Sequence, residues 1–140
     1  MYSADVVAGY AVSKCIDDGL PISNLQLQKI LYYIQKRYLK DGSVAFDDDF
    51  EAWQFGPVIP KIYYRYSGYG AMPIDMPEIN SDIYKADSAI IDPIIEEKRA
   101  LNPWDMVNDT HKEGGAWHQT YKGGLGNHHV IDKNLIKVAG

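Results

Sequence analysis

A chain of 140 residues with 46% apolar and 24% charged side chains has the make-up of one globular domain, spanning 1–140. Its single cysteine, Cys15, excludes an intrachain disulfide framework and points to a reducing, cytoplasmic setting. The formal charge is −5, no basic-then-apolar leader opens the chain, and no run approaches the about 18 apolar residues a membrane helix needs. The bases are scattered rather than clustered, which argues against nucleic acid as a partner; a basic partner, or simply solubility, fits the acidic balance better.

Ser3 has the chemistry of a helix cap, and Ala4, Ala8, Ala11, Val12, Cys15 and Ile16 fall on one face at helical spacing. Gly19 and Pro21 end that helix. The clearest helix follows, "ISNLQLQKILYYIQKRYL". Ser23 and Gln26 make a capping-box pattern, and Leu27, Ile30, Leu31, Ile34 and Tyr38 form the apolar stripe. Lys29, Lys36, Arg37 and Lys40 are assigned to solvent. Asp47, Asp48 and Asp49 read as a solvated turn, since the alternating ligands and distal glutamate of a calcium loop are missing.

Phe50–Gly70 holds one tryptophan, two phenylalanines and four tyrosines, with only three charged residues. Phe50–Phe55 reads as a short extended segment. Pro60 opens a helix carrying Ile62, Tyr63 and Tyr66, closed by Gly68 and Gly70. Residues 71–82 read as a strap over the surface. A helix over about 87–100 contains Pro93, so it either begins there under an Asp92 cap or starts earlier and kinks. Asn102, Pro103 and Asp105 mark a helix from 103 to about 112. Gly123–His129 reads as a flexible turn, Val130 and Ile131 as a short strand, and Asp132 caps a last helix through Val138. The expected fold is a mostly α, compact single-domain bundle of five or six helices with one or two short β segments.

No nucleophile elbow, phosphate loop, dinucleotide fingerprint or zincin helix is present, so no catalytic residue and no cofactor is expected. Cys15 sits on an apolar face and reads as a buried thiol. His111 and His118 match no standard metal spacing. The first two helices have the flavour of a helix-turn-helix, but "NLQLQKIL" offers little to a DNA groove. Within the aromatic stretch, Trp53 and Phe55 are assigned to the core. Tyr64, Tyr66 and Tyr69 are assigned to the surface, because ring surface with polar tips suits half-buried interface positions.

Four blocks in order, "LQLQKILYYIQKRYL", "FEAWQFGPVIPKIY", "TH...GGAW" and "IDKNLIK", together resemble the Panacea, or SocA-like, antitoxin domain, often labelled phage- or prophage-associated. The resemblance spans roughly Val6 to Lys137. Its motif residues are Leu27, Leu31, Phe50, Trp53, Gly56, Pro57, Val58 and Pro60, with Thr110, His111 and Trp117 in the later block. Ala116 departs from the proline that members often carry before the last tryptophan. The resemblance implies a helical, non-enzymatic, cytoplasmic antitoxin that neutralises a cognate toxin encoded next door by direct contact. It also implies two alternatives: an adaptor that delivers a bound partner to a Clp-type protease, and a phage inhibitor of a host defence protein. A small metal-dependent enzyme built on His111 and His118 is the remaining rival. On this reading Trp53, Tyr63, Tyr64 and Tyr66 anchor the toxin, Asp47, Asp48 and Asp49 form an acidic rim, and "TH...W" is scaffold.

Overall fold

Helix α2 (Asn24–Lys40) is the axis on which the chain is organised, in a computed structural model that describes residues 1–140. Its capping box forms as expected, Ser23 Oγ accepting from Gln26 N and Gln26 Oε1 accepting from Ser23 N. The stripe of Leu27, Ile30, Leu31 and Ile34 is buried. Polar positions outside this stripe are buried too, which the sequence does not suggest. Asn24, Gln28, Lys29 and Gln35 all lie inside. Each makes a hydrogen bond to backbone outside α2: Asn24 Nδ2 to Tyr63 O at 3.0 Å, Gln28 Oε1 from Ile59 N at 3.0 Å, Lys29 Nζ to Phe55 O, and Gln35 to both Ala45 N and Phe46 O. Buried backbone polar groups need partners. The polar face of α2 is therefore a row of stitches for residues 45–63.

Helix α1 (Ala4–Asp17) brings its small face, Ala4, Val7, Ala8, Ala11 and Cys15, into the core beside α2. Residues 70–84 form the expected strap across it. Ile74 N bonds Ile22 O at 2.8 Å, Ser13 Oγ and the Glu78 backbone exchange hydrogen bonds, and Ser81 packs where a side chain on Gly9 would stand. Strands β1 (Glu51–Trp53) and β2 (Gly56–Val58) make an antiparallel hairpin in which Trp53 pairs with Gly56. Residues 128–131 bond the other edge of β1, through Ala52 N to His129 O, His128 N to Ala52 O and Ile131 N to Phe50 O. The turn at Gly123–His129 is thus tied into the sheet.

Helix α3 (Pro60–Arg65) starts on Pro60, and one 3₁₀ turn follows at Ser67–Tyr69. Helix α4 (Lys85–Arg99) runs unbroken through Pro93, so the earlier start is correct and Asp92 is not its cap; Asp92 instead accepts from Tyr10 OH. Helix α5 (Pro103–Thr110) is capped by Asn102, and α7 (Lys133–Ala139) by Asp132. Between them lies α6 (Ala116–Tyr121), a helix the sequence reading does not include; its N-cap is Gly115, with no side-chain cap to announce it. The fold is mostly helical with one small two-stranded sheet, and α6 brings the helices to seven.

Candidate functional site

The hairpin tip and α5 bring the motif residues together. Leu27, Leu31 and Phe50 are core, and Pro60 opens α3. Lys29 reaches from α2 to the turn between β1 and β2, where Nζ donates to the Phe55 carbonyl. It is 0% exposed and pairs with no carboxylate, a correction to its assignment to solvent. Burial alone lowers its pKa from 10.5 to about 7. Gly56 stands directly against it: a Cβ there would lie 2.1 Å from Nζ, and the backbone φ of +123° is one that side chains rarely adopt.

The second motif block closes this chamber. Thr110 Oγ1 donates to Val107 O at 3.0 Å, while Trp117 Nε1 donates to Trp53 O at 2.7 Å and so fixes the end of β1. His111 lies flat on Trp117, with ring centroids 3.5 Å apart, and Trp117 stacks in turn on Tyr121. His111 Nε2 is buried without a hydrogen bond. Burial and the neighbouring Lys29 hold its pKa down at about 4, against a weaker pull from the Phe55 carbonyl. All these contacts of Thr110, His111 and Trp117 are with other parts of the same chain.

Above the chamber the rings emerge. Trp53, Phe55, Val58, Tyr63, Trp104 and His128 line a cleft of about 510 Å³, with Asn24, Gln28, Gln54 and Asn127 among its polar lining and no Lys, Arg, Asp or Glu. Trp53 is half-buried. It stacks on His128 at 4.4 Å, meets Tyr63 edge-on at 5.1 Å, and has Tyr64 tilted beside it. Phe55 meets Trp104 edge-on at 5.7 Å. Phe55 is 49% exposed, Trp104 55% and Tyr64 62%.

Three expected site assignments change. Phe55 belongs to the surface, not the core, because the tight hairpin turn throws it outward. Tyr66 is buried and donates its hydroxyl to Glu78, so it cannot anchor a partner. The aspartates are mostly engaged internally. Asp48 accepts from Ala4 N at the start of α1 and pairs with Lys61 at 2.8 Å; Asp49 pairs with Lys133; only the Asp47 carboxylate is exposed and unpaired. Sequence reasoning also missed Trp104 and His128, which no local pattern places beside the hairpin.

The rival chemistries find other geometry. His111 is stacked, and His118 Nδ1 accepts from Gly114 N at 3.2 Å; no group of three or more His, Cys, Asp or Glu can hold a metal ion. The N-terminal half of α2, which a recognition helix would present to DNA, is buried. Cys15 is buried and its thiol pKa raised by that burial. No helix is long and apolar enough to cross a membrane.

Residues 27–118 match the family described as antitoxin SocA-like, Panacea domain. The chain is 32% identical over 127 residues to Antitoxin SocA of Caulobacter vibrioides (strain NA1000 / CB15N), covering 81% of this chain and 68% of that protein. No solved structure matches.

Proposed function

The chain belongs to the SocA-like Panacea antitoxin family, and from that premise we propose that it neutralises a cognate protein toxin by direct contact through the aromatic cleft. The observation that carries this reading is the exposure of Phe55, Tyr63, Tyr64 and Trp104 around one uncharged cleft, on a hairpin held rigid from beneath. Large rings with few rotatable bonds, exposed together, are the usual anchors of protein interfaces. Lys29, Gly56 and Trp117 fix the hairpin before a partner arrives, which lowers the ordering cost of binding. Tyr63 and Tyr64 keep their role as anchors, Trp53 is the half-buried base on which they rest, and Phe55 and Trp104 replace Tyr66.

The test is co-expression with the neighbouring open reading frame. The neighbour alone should arrest growth; this chain should restore it and co-purify with the neighbour's product. Rescue by a Trp104→Ala, Tyr64→Ala variant as complete as by the parent would remove the cleft from the reading. A harmless neighbour would remove the toxin.

A further inference from the structure

Seven of the 14 basic side chains are in ion pairs with carboxylates, and Lys29 is buried. Of the six that remain, four surround one groove of about 310 Å³: Lys36 and Lys40 from the end of α2, Lys112 from the turn after α5, and Lys137 from α7. In sequence they lie up to a hundred residues apart, and only the fold gathers them. Glu113 lines the same groove without reaching ion-pair distance of any lysine. Lys112 Nζ donates to Gly140 O at 3.1 Å; the other three ammoniums donate to no protein acceptor. Lys36 feels the crowding. Burial first, then the charges of Lys112 and Lys40, hold its ammonium below its ordinary pKa, with Asp109 pulling the other way. Four like charges that repel one another, with Glu113 the one carboxylate side chain among the groove's lining and none of the four in an ion pair, make a local positive potential in a chain of net charge −5.

We propose that this groove is a second docking site, and that its occupant is a short run of Asp and Glu on a protein partner. Ammonium–carboxylate hydrogen bonds are charge-assisted and answer the unpaired donors directly. A nucleic-acid strand fits less well. The groove offers no aromatic platform for bases and no Arg fork for phosphates, and the chain's overall charge repels an extended polyanion. The site is also separate from the aromatic cleft. No residue lines both, and on α2 their nearest lining residues, Gln28 of the cleft and Lys36 of the groove, are about 12 Å apart along the axis at 1.5 Å per residue, so both can be filled at once.

The experiment follows backbone amide shifts of the full chain during titration with three probes: a synthetic peptide with a central run of glutamates, the same peptide with glutamines, and an oligothymidylate of equal length. The glutamate peptide should bind saturably, moving amides near 36–40, 112–115 and 137–140, and should weaken as salt is raised. Lys40→Glu with Lys137→Glu, both exposed, should raise its Kd by about tenfold or more, while Lys85→Glu, an exposed unpaired lysine elsewhere, should not. Equal binding of the glutamine peptide, an equal loss with Lys85→Glu, or shifts confined to the cleft would each overturn the proposal. Tighter binding of the oligothymidylate would overturn it in favour of a nucleic-acid surface.

Discussion

Lys29 gives its ammonium to the carbonyl of Phe55 and to no carboxylate, so an uncompensated cation supports the hairpin that carries the exposed rings. The sign of its effect on stability follows from burial. The unfolded chain holds the Lys29 proton up to about pH 10.5, whereas the native chain releases it near 7. Between those values the unfolded state binds more protons, so this residue's contribution to stability rises with pH. The shift corresponds to an effect on the order of 5 kcal/mol. Lys29→Met keeps the length of the side chain and removes the titration. Denaturant midpoints measured at intervals from pH 7 to 10 should rise for the parent relative to Lys29→Met. Parallel curves would mean that Lys29 stays solvated in solution.

His111 acts in a lower window. Its native pKa near 4 lies below the ordinary 6.5, because burial and Lys29 oppose a second charge in the chamber. As pH falls from 6.5 toward 4, the unfolded state takes up a proton that the native state refuses, and stability is lost. His111→Phe preserves a flat ring on Trp117 and leaves no Nε2 without a partner. It should lessen the acid loss between pH 6.5 and 4 and leave stability at pH 7 equal or higher. A His111 imidazole that titrates near 6.5 by nuclear magnetic resonance would contradict the buried, neutral ring.

Local patterns carried much of this fold: the capping box of Ser23 and Gln26, the Asn102 and Asp132 caps, and the small face of α1 all stand where the residues predict them. What failed depended on tertiary neighbours. Charge on a helix ordinarily means exposure, yet β2 and α5 pack on α2 and the Phe55 carbonyl in the hairpin turn takes the Lys29 ammonium. One signal was available. Asn24, Gln28 and Gln35 are carboxamides at helical spacing, the side chains best suited to bonding buried backbone, and they mark the covered face. Tyr66 and Phe55 exchanged places for a similar reason. The short helix α3 turns Tyr66 under the strap toward Glu78, and the two-residue turn turns Phe55 out.

Gly56 tests the close approach of hairpin and lysine. A Gly56→Ala variant must accept a strained φ and push Lys29 Nζ from its place. The expected cost is about 3 kcal/mol, read as a lowered denaturation midpoint. Gly68→Ala is the control, since a Cβ there meets open space without a positive φ; it should change stability by less than about 0.5 kcal/mol. Comparable losses for the two would mean that Lys29 has room to move aside.

The last prediction separates rings that hold the fold from rings offered to a partner. Tyr66→Ala empties a buried site and strips Glu78 of its hydroxyl donor, so it should cost about 3 kcal/mol or more and reduce partner binding only through loss of folded protein. Trp104→Ala removes a ring that is more than half exposed and rests edge-on against Phe55. It should leave the circular dichroism and the midpoint nearly unchanged. If the cleft is the interface, it should weaken the complex about thirtyfold, a loss of about 2 kcal/mol. The discriminating measurement is calorimetric titration of both variants against the co-purified partner, alongside their unfolding curves. Trp104→Ala binding at parental affinity while fully folded would move the interface away from the hairpin, whatever Tyr66→Ala did.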